Sequence, residues 1–135
     1  MAEVILKEVT KDFGKSTVIN DVSIKINEGD FCVIVGPSGC GKSTLLRIIA
    51  GLETPTSGSI IINSKDVTTV DPANRGIGMV FQNYALYPHM TVEENMSFGL
   101  RMNNAPKNKI NKRVGEAAKI LQLTGLTFSY HIEFD

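Results

Sequence analysis

VGPSGCGKSTLL, residues 35–46, is a glycine-rich loop that runs directly into an apolar pair. Within it, residues 36–43 fit the pattern G-x-x-x-x-G-K-[ST]. Before the loop, residues 31–35 are a continuous apolar run (FCVIV), which predicts a central parallel strand covered on both faces. After it, Lys42–Ala50 carries leucines and isoleucines at helical spacing, and Gly51 follows where a helix would stop. Strand, loop and helix in this order predict an α/β fold organised around the loop.

The loop has the chemistry of a phosphate-binding site. Glycines let consecutive backbone N–H groups point into one concavity, and a helix beginning near Gly41 adds the positive end of its dipole. Lys42 supplies a cation that can reach the β and γ phosphates, and the Ser43 hydroxyl can ligate Mg²⁺. A turn that only joined strand to helix would not need this Lys-Ser pair. We therefore expect nucleotide binding by Gly36, Pro37, Ser38, Gly39, Cys40, Gly41, Lys42, Ser43 and Thr44, with Cys40 acting as a small loop residue and not as a redox group.

Composition excludes several classes of protein. With 135 residues, 42% hydrophobic and 21% charged, one globular domain is the expectation. Fourteen basic residues balance fourteen acidic ones, so bulk charge gives no reason to expect a nucleic-acid partner. Cys32 and Cys40 have no spacing that suggests a metal or disulfide framework, which fits a reducing cytosolic setting. Neither a membrane span nor a signal peptide is expected.

Further elements follow from local patterns. Residues 17–27 alternate apolar and polar side chains and predict a strand with one wet face, and residues 3–9 predict another. We also expect short strands at 59–63 and 77–81, with a turn at 63–66. No internal repeat and no low-complexity segment is present in the sequence.

Two more helices are predicted after residue 90. Thr91 and Glu94 have the spacing of a capping box, so a helix should begin near Val92 and reach about Met102. A last helix at about 107–123, closed by Gly125, would place five apolar side chains on one face. They are Ile110, Val114, Ala117, Ala118 and Leu121.

A family resemblance narrows the function. GPSGCGKSTLLRIIAGLETPTSGSI (36–60) together with GIGMVFQNYALYPHMTVEENMSFGL (76–100) closely resembles the ATP-binding subunit of bacterial ABC importers, specifically the group serving maltose, related sugars and glycerol phosphate. The likeness covers residues 1 to about 126 and leaves residues 127–135 as an unmatched tail. It implies an α/β P-loop NTPase core of the ABC ATPase type with an N-terminal antiparallel β subdomain. The implied activity is ATP binding and hydrolysis coupled to import of a sugar or related solute.

The resemblance also implies roles for residues outside the loop. Phe13 lies where the family has an aromatic that stacks on adenine, and Val18 where a side chain packs beside it; without the family, Phe13 would be interpreted as a core or turn aromatic. Gln82 matches a glutamine that touches Mg²⁺ and the attacking water, although a glutamine ending a strand is usually only a solvated polar residue. ATP and Mg²⁺ are the implied cofactors, and Lys42 and Gln82 the implied catalytic residues.

Partners follow from the same resemblance. Residues 83–88 and the helices after them match the surface that receives a coupling helix from the transporter's membrane subunits. Tyr84, Tyr87 and Met90 suit such a contact, although core packing explains them about as well. The family's subunits work as homodimers or heterodimers, cytoplasmic and peripheral on the inner face of the cell membrane. No nucleic acid is expected.

The sequence departs from the family after Leu126. The family continues into a glycine-rich signature, an apolar strand ending in Asp-Glu (the Walker B segment) and a switch histidine, and none of these follows here. His131 and Glu133 do not replace them, because neither follows the apolar strand that would position it. We therefore expect a truncated or frameshifted copy that keeps the phosphate cradle and shows no ATP turnover above background. The alternatives are a non-hydrolytic nucleotide-binding module and a small P-loop kinase.

Overall fold

The computed structural model describes residues 2–83 and 85–129, and the chain forms two compact units, Met1–Met79 and Val80–Asp135. In the first unit, a four-stranded antiparallel sheet has the order β2-β1-β3-β4. Its strands are β1 (Val4–Phe13), β2 (Ser16–Ile26), β3 (Ser57–Ile62) and β4 (Lys65–Asp66), accompanied by helix α1 (Lys42–Ala50) and a 3₁₀ turn (Pro72–Asn74). This sheet confirms the predicted antiparallel β subdomain.

The core of the first unit lies between the sheet and α1. Strand β3 supplies side chains from alternate positions, and β1 supplies Leu6 and Val9, between which its register shifts. Helix α1 supplies two residues three positions apart, as its helical period requires. The fully enclosed cluster comprises Leu6, Val9, Ile19, Leu45, Ile48, Ile60, Ile62 and Val67. The helix that follows the glycine loop is thus fixed to the sheet by its apolar face.

Residues 31–35 do not form the predicted central parallel strand. The segment has no ladder partner among the described strands, and Phe31, Val33 and Val35 are 93%, 63% and 82% exposed. Only Ile34 packs against the core cluster. A continuous apolar run indicates that a segment is suited to burial, but a parallel strand also needs neighbours on both sides. Those neighbours are not found among the described residues.

Two other local predictions need correction. Residues 77–81 form no strand, and Val80 is 92% exposed, again because no described strand pairs with this segment. The predicted turn at 63–66 is shorter than expected. Asn63 and Ser64 make the turn with positive φ, and Lys65–Asp66 then pairs with β3 as the short strand β4.

The second unit contains α2 (Val92–Met102) and α3 (Lys107–Ile120). The capping box at the start of α2 is confirmed: Thr91 Oγ1 accepts from the Glu94 amide, and Glu94 accepts from the Thr91 amide at 2.8 Å. Helix α3 is shorter than the predicted range of about 107–123 and ends at Ile120. Leu121 lies after the last turn and is 61% exposed, so the prediction that it belongs to the buried face is wrong. None of the helices in the described ranges is both long and apolar enough to cross a bilayer.

Candidate functional site

The glycine loop leads into α1 through Gly41, which caps the helix in a left-handed conformation with φ 93°. The predicted helix start is therefore confirmed. A side chain at this position would strike the sheet, because a Cβ would lie 2.9 Å from both the Val18 carbonyl oxygen and Ile19 Cδ1. Glycine is required here for its backbone conformation and for the close approach to β2.

Val18 lies beside the loop because of an irregularity in the pairing of β1 with β2. Lys11 pairs with Ile19 and Asp12 with Thr17, so Val18 is an extra residue in β2. A bulge of this kind re-aims a side chain locally. It brings Val18 against Gly41, with Val18 Cγ1 3.0 Å from the position of a Gly41 Cβ. The structure thus joins two of the predicted site residues.

Lys42 folds back onto the loop that precedes it. Its ammonium donates to the carbonyl oxygens of Gly36 and Pro37 at 2.7 and 2.6 Å and lies 3.5 Å from Cys40 Sγ. The residues between, 36–40, are exposed to solvent. The cation is therefore held at the open side of the loop, where an incoming anion would meet it.

The first turn of α1 is left open to ligands. No described side chain caps it, and it contains no acidic residue. The first amides of a helix have no intrahelical partner, so those of Lys42, Ser43 and Thr44 remain available as donors. Within the described ranges the exposed Ser43 hydroxyl also makes no hydrogen bond. This donor set fits a phosphate group, and the free hydroxyl fits a hard cation such as Mg²⁺.

Phe13 lies at the end of β1 and is 47% exposed. The ammonium of Lys11 lies 4.9 Å from the centroid of its ring. Lys11 is itself fixed by an ion pair with Glu53 at 2.7 Å and by donation to the Thr54 carbonyl oxygen at 2.7 Å. The hydrogen bond from Lys11 holds the pKa of Glu53 below its usual value. An exposed aromatic ring with one supported face is an available stacking surface.

The other end of α1 is closed by Arg75. Its guanidinium donates to the carbonyl oxygens of Ile48 and Ile49 at 3.0 and 3.1 Å. It also donates to those of Val70 and Thr68 at 2.8 and 3.3 Å. The residue is 6% exposed, and burial lowers the pKa of Arg75. A buried cation thus neutralises the negative end of the helix dipole.

Gln82 belongs to the second unit, where it is exposed in a turn. Its assignment to the magnesium site stays a prediction.

Asn95 of α2 holds residues 87–91 through hydrogen bonds. Its Oδ1 accepts from the Tyr87 amide at 2.8 Å, and its Nδ2 donates to carbonyls of Tyr87, Met90 and Thr91. The Tyr87 ring packs on Phe98, with centroids 5.0 Å apart.

Some predicted residues lie outside the described part of the chain. They are Tyr84, which was expected at the partner surface, and His131 and Glu133 in the tail. In the described ranges, no group of three or more histidine, cysteine or acidic residues forms a metal cluster. Cys32 and Cys40 are both exposed free thiols.

Sequence reasoning missed three residues that shape the site and its surroundings. Lys11 had a usable pattern, because it is two positions before Phe13 on a strand and so shares its face. No sequence pattern pointed to Arg75 or Asn95. Each binds backbone carbonyls, and because every residue has a carbonyl, the sequence does not show which ones will be bound. Arg75 reaches residues up to 27 positions away in the chain.

Comparison with known proteins identifies the family. Residues 19–132 match the family described as ABC transporter. The chain is 58% identical over 126 residues to the maltose/maltodextrin import ATP-binding proteins MalK of Escherichia coli K12 and Klebsiella aerogenes. The matches cover 93% of this chain but only 34% and 43% of those relatives, so it spans between a third and a half of their length.

A solved structure confirms the predicted fold type. The ATP-binding cassette MJ0796, determined as a dimer in a post-hydrolysis state bound to ADP and Pi, superposes with a TM-score of 0.85 at 31% identity. The superposition covers 98% of this chain and 63% of that one. The α/β fold of the ABC ATPase type is therefore present. The chain belongs to the ABC transporter family.

Proposed function

We propose that this chain binds ATP with Mg²⁺ at residues 36–44, as part of the ATP-binding subunit of an importer for maltose, a related sugar or a related solute. The observation that carries the proposal is the open first turn of α1. It presents free amides, the Ser43 hydroxyl and the Lys42 ammonium at one exposed loop. The high identity to maltose import ATP-binding proteins supports the transport assignment.

Each part of the nucleotide has candidate partners. The amides of residues 38–44 and the Lys42 ammonium would hold the phosphates through charge-assisted hydrogen bonds, worth about 1.5 to 3 kcal/mol each. Phe13 would stack on the adenine, with Val18 beside it. Ser43 would ligate Mg²⁺, which when bound offsets the negative charge of the phosphates. Lys42 would further stabilise the charge that develops on the γ-phosphate.

The partners are proposed on the same basis. Residues 83–88 and α2 would receive the membrane subunits, with Tyr87 and Met90 held in place by Asn95. Support comes from the exposure of residues 85–89. The chain would act at the cytoplasmic face of the membrane, in a dimer of two ATP-binding subunits.

Thermal unfolding with a ligand series tests the nucleotide site. The chain is heated alone and with ATP, ADP, tripolyphosphate or adenosine, each with Mg²⁺. We expect the largest rise in Tm with ATP, a smaller one with tripolyphosphate and none with adenosine, because at equal concentration the ligand that binds the folded state more tightly stabilises it more. If a folded sample shows no rise with any phosphate ligand, the proposal is wrong. Equal rises with ATP and tripolyphosphate would retain the phosphate site and reject stacking on Phe13.

A further inference from the structure

The neighbourhood of Phe13 contains a second residue that the nucleotide assignment leaves without a role. The Lys11 side chain is only 13% exposed, although it carries a charge. Lysine is rarely buried to this degree without specific partners. Its ammonium uses two of its three donors on Glu53 and on the Thr54 carbonyl, both at 2.7 Å.

The remaining side of this ammonium is directed at an aromatic ring. It lies 4.9 Å from the Phe13 centroid, within the range of a cation–π contact. With one face of the ring occupied by the cation and the ring 47% exposed, the opposite face is the one available to a ligand. Lys11 thus fixes which face of Phe13 can stack.

The segment that carries both anchors of Lys11, residues 53–56, is attached at its start to α1 and at its end to the sheet. The Glu53 amide donates to the Arg47 carbonyl oxygen at the end of α1, at 3.2 Å. Thr56 is bonded to β1 twice, through its amide to the Thr10 carbonyl oxygen at 2.8 Å and through its hydroxyl from the Asp12 amide at 2.9 Å. The ammonium is therefore held by a segment that starts at the helix of the phosphate site.

We infer that Lys11 is a positioning residue for the nucleobase, which holds the Phe13 ring by a cation–π contact on one face so that adenine stacks on the other. The inference rests on the proposed function. It adds a link between the two halves of the site: α1 presents the phosphate donors at its first turn, and the segment after its last turn anchors the cation beneath the base platform.

Separate titrations with ATP and tripolyphosphate test this role, because tripolyphosphate has no base. Calorimetry of the full chain gives both Kd values in the presence of Mg²⁺. For Lys11→Met, which keeps the length of the side chain, we expect ATP binding to weaken about threefold, the equivalent of one cation–π contact at the weaker end of the usual range, with tripolyphosphate unchanged. Lys11→Arg keeps the cation and should bind ATP as the unmodified chain does.

Lys25→Met is the matched control. It removes a strand lysine that also forms an ion pair, with Glu3 at 3.3 Å, but lies away from Phe13. We expect it to leave both Kd values unchanged. In a Phe13→Ala background, Lys11→Met should have no further effect on ATP, because the ring it supports is gone.

Several outcomes would overturn the inference. They are equal weakening of ATP and tripolyphosphate in Lys11→Met, an undiminished effect in the Phe13→Ala background, or no effect at all. If Lys11→Met does not fold, Glu53→Gln gives the same test by releasing the ammonium from its anchor, and an unchanged ratio of the two Kd values would reject the role. If the unmodified chain binds ATP and tripolyphosphate with equal affinity, both the role of Lys11 and stacking on Phe13 are rejected. If tripolyphosphate does not bind at all, the error lies in the proposed phosphate site and not in the role of Lys11.

The tryptophan-free sequence offers an independent readout. In Phe13→Trp the single indole reports on this position alone. ATP should change its emission and tripolyphosphate should not. Adding Lys11→Met should shift the emission of the ligand-free protein, because the charge beside the indole is lost. An unshifted spectrum would show that the cation does not reach the ring.

Discussion

The two ends of α1 differ in what happens to the backbone groups that have no partner within the helix. At the last turn, the Gly51 amide bonds to the carbonyls of Arg47 and Ile48, and Arg75 bonds to those of Ile48 and Ile49, so these three carbonyls are satisfied inside the protein. At the first turn no described side chain caps the helix, and its first amides have no intrahelical partner. One end stabilises the fold and the other is left for a ligand. Substitutions at the two ends should therefore separate stability from affinity.

Helix α2 sharpens this contrast, because its first turn is closed. Thr91 and Glu94 form a capping box there, and the amides of Val92 and Glu93 donate to the carbonyl oxygens of Ser129 and Thr127 at 2.8 and 2.7 Å. Open amides are thus not a general property of helix starts in this chain. Helix α3 also begins without a side-chain cap, at Pro106, but the glycine loop precedes the open first turn of α1.

The largest effect is expected at the closed end of α1. Arg75→Met removes the donor from the part-buried carbonyls of Ile49, Thr68 and Val70, while Ile48 keeps the Gly51 amide. Each such loss costs about 1 to 3 kcal/mol, so the free energy of unfolding should fall by about 3 kcal/mol or more. Urea unfolding followed by circular dichroism measures this. Arg101→Met, at an exposed position of α2, serves as the control and should have little effect. A midpoint for Arg75→Met equal to that of the control would show that the closed end does not depend on this cation.

At the open end, the expected loss is in affinity. Lys42→Ala removes a charge-assisted contact and should weaken ATP binding about 30-fold, the equivalent of about 2 kcal/mol. The free energy of unfolding should change little, since the carbonyls to which Lys42 donates are exposed to water. Calorimetric titration and urea unfolding of one sample give both values. Lys112→Ala, an exposed position on α3, should change neither, and a large loss of stability in Lys42→Ala would contradict the division of roles.

A smaller loss of stability is expected from Gly51→Ala. Gly51 has φ 82°, where a residue with a side chain costs about 1 to 2 kcal/mol, and the new Cβ would lie 2.5 Å from Arg75 Nε. Thermal unfolding should show a lower Tm. Gly99→Ala is the matched control, because it lies within α2 with no atom near its Cβ position and should raise Tm slightly. An equal response of both variants would mean that neither the conformation nor the contact matters.

The smallest effect concerns pH at the start of α2. Hydrogen bonding from the Thr91 backbone holds the pKa of Glu94 below its usual value. A carboxyl whose pKa is lower in the folded state stabilises it fully above the unfolded-chain value of about 4.3, and this stabilisation disappears as pH falls through the folded-state pKa. Protection factors at the α2 amides, which correct hydrogen exchange for its slower intrinsic rate at low pH, should therefore fall in acid, and less so in Glu94→Gln. Helix α1 has no acidic residue in its first turn and should show no such local dependence.

The sequence predicted best those features that depend on near neighbours. The glycine loop, the bounds of α1 and the Thr91–Glu94 box are each set by a few consecutive residues, and all are observed. Residues 31–35 and 77–81 were predicted as strands from composition, but a strand exists only with a partner, and none is described beside them. Lys11 and Arg75 act through contacts 43 and 27 positions away, which no local pattern specifies.

The two hydrogen bonds from Lys42 to loop carbonyls affect how quickly and how tightly the loop can bind an anion. A free lysine side chain loses up to about 2 kcal/mol of rotamer entropy when it is immobilised. Here that ordering is largely complete beforehand, since the ammonium is already held by Gly36 and Pro37. Phosphate capture then needs only an exchange of acceptors at a preorganised cation, in place of a search by a mobile one.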